Sequence, residues 1–224
     1  MTQTEILNPY MAQLQQIYGS FDPNNVQTRR RSYYSFVAYP TAGQSVFQFF
    51  GQTIGSANRQ LTNLQRSGHL DNPFILKSLR TRYFITGQKN TSWAGTDAST
   101  LYSDIVNGFF TVGVLRCIIS SKEWFQLPSP FQYAPAAYGM PKVFTAGTQG
   151  SNISEGPYAY PGEPGVDSAY LVDPQFLIGS DQNFQFTIEY PSGVVPIIGS
   201  TVVGNNTTLY IGIDLDGIEI RPLQ

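Results

Sequence analysis

The closing third of the chain most constrains what it can fold into. In Tyr170-Leu-Val-Asp-Pro-Gln-Phe-Leu-Ile178 a strand-like run ends in a Pro-containing turn, and the polar turn Gly179-Ser-Asp-Gln-Asn183 follows. Phe184-Gln-Phe-Thr-Ile-Glu-Tyr190 then alternates apolar and polar residues and stops at Pro191-Ser-Gly193. The chain closes with Thr208-Leu-Tyr-Ile-Gly-Ile-Asp-Leu-Asp-Gly-Ile-Glu-Ile-Arg221. Strand, tight turn and strand leave no room for a helix, so this region predicts an antiparallel all-β domain.

The same reading extends upstream. Strands are expected at about 46–53, 74–86, 109–119, 123–127, 169–173, 176–179, 183–190 and 208–221, the last divisible at Asp214–Gly217. Residues 109–119 are almost continuously apolar and predict a central strand buried on both faces. In 74–86, Phe74, Leu76, Arg80, Arg82 and Phe84 share a face unless a bulge intervenes. Asp97 is placed to cap a short helix over 97–106. Eight antiparallel strands with unequal connections suit a double-sheet jelly-roll sandwich better than an up-and-down barrel. Residues 46–224 are therefore expected to form one domain, with a long Pro-, Gly- and Tyr-rich insertion at about 128–168 of the kind that carries function or contacts.

Residues 1–45 look different and are expected to form an arm preceding that domain. Asn8 followed by Pro9 resembles a helix start. Tyr10, Met11, Leu14, Ile17 and Tyr18 supply an apolar stripe at helical spacing before Gly19. Such a short amphipathic helix needs something to dock on, which makes these five residues the candidate assembly contacts of the arm.

Function classes narrow through charge. Only 12% of residues are charged, and Asn plus Gln number 30 against 28 Asp, Glu, Lys and Arg. A surface that is polar, uncharged and rich in Tyr and Phe fits extensive protein–protein contact, since interfaces favour aromatics and deplete Lys and Glu. The competing reading is an ordinary β-protein. A net charge of −2 provides no global field for nucleic acid or anionic membrane. Arg29-Arg30-Arg31 is the one basic cluster. It is a candidate contact for genome or lipid-headgroup phosphates, or else a solvated or subunit-bridging segment. No apolar run approaches the roughly 20 residues of a transmembrane helix. The N-terminus lacks the pattern of a secretory signal, so folding in the cytoplasm is expected.

The search for catalytic chemistry is mostly negative. His69 is the single histidine and lies in the turn-like Ser-Gly-His-Leu-Asp, which predicts a loop hydrogen bond; one imidazole cannot complete a cupin-type metal site. Cys117 sits in the most hydrophobic run and is expected in the core. Asp214, Asp216 and Glu219 could suggest calcium or paired acids, but fit a solvated strand face beside an Asp-Gly turn. No phosphate loop is present. The expectation is a protein that is not an enzyme and has no cofactor.

The chain resembles the single jelly-roll capsid proteins of tailless icosahedral viruses, especially bacteriophages. The resemblance lies in motif order over residues 45–221. It comprises the turn-rich Leu61-Thr-Asn-Leu-Gln-Arg-Ser-Gly-His-Leu70, then Gly113-Val-Leu-Arg-Cys-Ile-Ile-Ser-Ser-Lys-Glu-Trp-Phe-Gln-Leu-Pro128. After a long excursion come Leu171-Val-Asp-Pro-Gln-Phe-Leu-Ile178, Asn183-Phe-Gln-Phe-Thr-Ile-Glu-Tyr-Pro191 and a terminal Gly217-Ile-Glu-Ile-Arg-Pro222. It implies a virion subunit that self-assembles, commonly through trimers, into an icosahedral shell around a genome. The arm would tie neighbours together or face the interior. The partners implied are copies of the chain and other capsid or vertex proteins, with weak contact to genome or internal membrane through the arm. The alternative is a receptor- or carbohydrate-binding jelly roll of a virion spike. In that case Trp93, in a polar loop, is the candidate glycan-stacking residue and Trp124 is expected in the core.

Overall fold

The computed structural model describes residues 3–39, 44–55, 59–86, 113–130, 142–143, 159–160, 169–190 and 208–222. Within them the chain is an all-β sandwich of two four-stranded antiparallel sheets. The first sheet has the order β1-β10-β3-β8, formed by β1 (Val26–Ala38), β10 (Thr208–Pro222), β3 (Phe74–Thr86) and β8 (Tyr170–Ile178). The second has the order β2-β9-β4-β5, formed by β2 (Val46–Phe49), β9 (Phe184–Glu189), β4 (Val114–Ile119) and β5 (Lys122–Pro128). A two-residue ribbon pairs β6 (Lys142–Val143) with β7 (Ala159–Tyr160).

Two corrections to the expected strands follow. Residues 26–38, expected in the arm, pair with β10 over 13 residues and form an edge strand of the first sheet. Its Arg-rich start hid the alternation, because Arg29 and Arg31 precede Tyr33 and Ser35 on the inward face. Conversely, the strands expected at 169–173 and 176–179 are one strand. Its pairing with β3 jumps from Leu76↔Phe176 to Ser78↔Leu171, so Pro174 lies in an unpaired stretch where no ladder donor is required.

Bulges set which side chains face inward. In β3, Lys77 is the extra residue against β10, while residues 172–175 of β8 stand opposite this same position. Phe74 and Leu76 face the core before it; Leu79 and Thr81 do so after it. Arg80 and Arg82 therefore fall on the opposite face from Phe74 and Leu76, contrary to the face expected without a bulge. Gly217 sits where β10 passes this irregularity, and a Cβ there would lie 2.0 Å from the Ile75 carbonyl oxygen. β10 itself is unbroken, so no turn forms at Asp216-Gly217. β4 buries Leu115, Cys117 and Ile119, while Val114, Arg116 and Ile118 are half-exposed, so it is covered fully on one face only. The sandwich interior is largely aromatic, with Tyr33 edge-on to Phe74 and Phe50 against Phe184 and Phe186.

The outer edge of β1 is covered rather than left open. The Phe36 N–H donates to the Leu61 carbonyl at 2.7 Å. The Asn63 amide donates to the Ser32 carbonyl and its oxygen accepts from the Tyr34 N–H. These bonds occupy groups that an exposed edge would offer to another chain.

The N-terminal segment packs on the outer face of the same sheet. Helix α1 (Gln3–Leu7) runs through a 3-10 turn at Asn8–Tyr10 into α2 (Met11–Tyr18). Helical structure thus begins ahead of Asn8, which caps nothing. Gly19, at φ 74°, ends α2 as its N–H donates to the Gln15 carbonyl. Leu7 and Leu14 are fully buried against Val26, Ile75, Leu177 and Ile220, forming a second apolar cluster apart from the sandwich interior. The docking surface that a two-turn helix requires is therefore supplied by the chain's own sheet.

Leu14→Ala should lower stability by roughly 2–4 kcal/mol, whereas Gln16→Ala on the exposed face should stay within about 0.5 kcal/mol. Urea denaturation of both variants checks this. Equal midpoints would mean that the helices do not contribute to the cooperative unit.

Candidate functional site: an arginine cluster and an aromatic seam

The register of β1 against β10 places Arg29 directly opposite Glu219 on the inward face. Two residues further along each strand bring Arg31 and Arg221 to the same side. The Glu219 side chain is completely buried yet fully partnered. Its Oε2 accepts from the Nε of Arg29 and, at 2.9 Å, from the Nε of Arg221. Its Oε1 accepts from Arg31 Nη1 at 2.8 Å, from the Tyr33 hydroxyl at 2.9 Å and from the Asn72 amide at 3.2 Å. Arg31 also stacks over the Tyr33 ring at 4.6 Å. Burial alone would raise the carboxyl's pKa. The hydrogen bonds from Arg29, Tyr33 and Asn72, with the charge of Arg31, outweigh it and hold the group at about 2.

Arg30 points to the other face. Its Nε and Nη2 form a fork on Asp216, which also accepts from the Ser32 hydroxyl. The three consecutive arginines are thus not one patch: two join Glu219 and one joins Asp216. On that outer face Arg82 bonds Asp214 at 2.8 Å. Asp214 Oδ1 and Arg80 Nε are buried with no hydrogen-bond partner. Burial raises the Asp214 pKa, with the charge and hydrogen bond of Arg82 opposing it. The reading of Asp214, Asp216 and Glu219 as one solvated face is therefore corrected. Glu219 is an odd number of residues from the other two, so it faces inward, and Asp214 is itself mostly covered. That odd spacing was the signal in the sequence. Nothing in it named Asn72 or Tyr33 as partners.

A second feature lies where the edge strands β5 and β8 face each other. The β4–β5 register shifts between Cys117 and Ile118, leaving Trp124 as the extra residue of a bulge. The bulge re-aims its ring, which stacks on Phe176 of the opposite sheet with centroids 4.8 Å apart. Phe125 packs against Tyr170 and Phe176 beneath it, and Lys122 lies over the Trp124 ring at 5.5 Å. Trp124 remains 42% exposed; Leu171 of β8, between the inward Tyr170 and Val172, is 73% exposed. The expectation that Trp124 belongs to the core is overturned. A bulge cannot be read from the sequence Glu123-Trp-Phe, where simple alternation decides the face.

Of the five candidate arm residues, Leu14 is buried within the chain, and Tyr10, Ile17 and Tyr18 are partly buried against the same cluster. Met11 is half-exposed. Trp93 and the helix expected at 97–106 lie outside the described residues. His69 Nδ1 is 2.9 Å from the Ser67 carbonyl, the loop contact its context predicted. Cys117 is buried, and that burial raises its thiol's pKa far above the ordinary value. Among the described residues no group of three or more His, Cys, Asp or Glu could hold a metal, and no helix is long and apolar enough to cross a membrane.

No protein-family model matches the chain, and no curated protein matches it with significance.

The folded pKa of Glu219 lies below its unfolded value. Its stabilisation is therefore complete above the ordinary carboxylate range and is lost as pH falls from about 5 toward 2. Stability should drop by about 3 kcal/mol over that window from this group. Glu219→Gln should cost about 2–3 kcal/mol at pH 7, because it removes charge-assisted hydrogen bonds from a buried acceptor and leaves three half-exposed arginines without their counter-charge, and should flatten the acid limb. Parallel acid profiles for the variant and the wild type, measured by urea melts at several pH values, would remove Glu219 as the source.

Proposed function

We propose that the chain is a structural subunit of a viral shell, folded as a jelly roll and assembling with copies of itself, commonly through trimers. The observation that carries this reading is the strand order. Among the eight strands of the two sheets, the chain changes sheet at every step except the β4–β5 hairpin, and β1 pairs with β10. The resulting orders, β1-β10-β3-β8 and β2-β9-β4-β5, set strands distant in sequence side by side in both sheets, which supports the double-sheet jelly-roll reading over an up-and-down one.

Surface chemistry supports assembly over catalysis. Charged groups are few, and many of those on the sheet faces are matched to an opposite charge: Arg30 to Asp216, Arg82 to Asp214, and Arg116 to both Glu123 and Glu189. A face whose charges are already paired costs less to bury against a neighbour than one with isolated ions. The exposed Trp124 at the β5/β8 seam and the exposed Leu171 on β8 supply apolar contact area of the kind that marks protein contact sites. On this reading the seam, rather than the docked N-terminal helices, is the principal contact.

Light scattering with negative-stain imaging of the purified protein should show trimers, shells or sheets. Trp124→Asp and Leu171→Asp, with unchanged circular dichroism, should shift the mass toward the monomer. A wild-type protein that stays monomeric at every concentration would overturn the proposal.

A further inference from the structure

We infer that Arg29, Arg31 and Arg221 form a binding site for a dianionic phosphate group, pre-organised by Glu219. The inference does not depend on the shell reading.

Charge is the first ground. Three guanidinium ions converge on one carboxylate, a local surplus of two positive charges. Asp71, whose charge is felt at Tyr33, lies 4.0 Å from Arg66 and makes no ion pair with the three arginines, and Asp216 on the opposite face holds Arg30. The surplus is therefore not cancelled among the described residues.

Geometry is the second. Arg29 and Arg221 each spend only Nε on Glu219, and Arg31 spends only Nη1. Among the described residues no other hydrogen bond engages the terminal nitrogens of Arg29 or Arg221, whose side chains are 41% and 37% exposed. Arginine carries five N–H donors in a planar fork. Each of these two thus keeps paired terminal N–H groups for a second oxyanion, in the arrangement that suits phosphate oxygens.

Pre-organisation is the third. Glu219 is fully buried and anchors all three arginines at their inner edge, while Arg31 is further held by Tyr33. Long side chains so fixed lose little rotamer freedom when a ligand arrives.

The chemistry selects among anions. A carboxylate or a phosphodiester carries one charge and would neutralise half the surplus. A phosphate monoester above its second pKa, about 6, carries nearly two. A polynucleotide presents many single charges in a row, and one compact cluster with Arg30 turned away offers no matching row.

The test is calorimetric titration of the intact protein with methyl phosphate, and with methyl sulfate as a monoanion of the same shape. Methyl phosphate should bind saturably, tighten as pH rises from about 5 to about 7, and outcompete methyl sulfate by roughly tenfold. Arg221→Gln should weaken it by at least about tenfold, and Arg30→Gln, on the opposite face, should leave it unchanged. Should Arg221→Gln unfold, Arg221→Lys keeps the charge but loses the fork and should weaken binding by a smaller factor. No saturable binding, equal affinity for both esters, or equal effects of Arg221 and Arg30 substitutions would each overturn the inference.

Discussion

The double-sided pairing of β10 is the constraint on which the rest of the structure depends. This strand bonds β1 along one edge and β3 along the other for almost its whole length. Its inward face carries Ile211, Ile213 and Leu215 into the interior and continues to Glu219 and Arg221; its outward face carries Asp214 and Asp216 and then Ile218 and Ile220 beneath the helices. One alternating sequence thereby specifies the sandwich interior, both charge clusters and the docking surface of the N-terminal segment. A slip of one residue would exchange all of these at once.

Two carboxylates on this strand, five residues apart, are shifted in opposite directions, and the contrast isolates what matters. Both are covered. Glu219 accepts from three arginines, a tyrosine and an asparagine, and its charged form is favoured. Asp214 accepts from Arg82 through one oxygen while the other has no partner, and its charged form is disfavoured. Burial is common to the pair; the number of donors supplied decides the sign. Low-dielectric surroundings amplify a complete hydrogen-bond set and penalise an incomplete one equally.

Much of the sandwich was legible from local pattern. β2, β5 and β9 lie close to where alternation and turn residues put them, and Cys117 is in the core. Failures arose where tertiary pairing overrides local character. The Arg29–Arg31 run resembles a solvated arm because its counter-charge, Glu219, is distant in sequence. Pro174 appears to divide a strand because only the β3 register shows that no ladder bond is needed there. Trp124 and Arg80 change face through bulges that leave no mark on composition. For the candidate sites, the sequence indicated that Arg29 to Arg31 matter, but the membership of the cluster, with Arg30 excluded and Arg221 included, required strand parity across two distant segments.

The pairing of first strand with last also orders events during synthesis. Arg29 and Glu219 are 190 positions apart, so closing that contact carries the entropic cost of a very long loop. β10 lies between β1 and β3, and neither can pair with it until β10 has left the ribosome. Every strand of the second sheet, by contrast, is available once β9 has emerged. The nascent chain therefore completes one layer early and carries β1 and one side of β3 unpaired until β10 emerges, and exposed strand edges are prone to wrong partners in that interval. A ribosome stalled after β9 has emerged but before β10 has would hold half a sandwich.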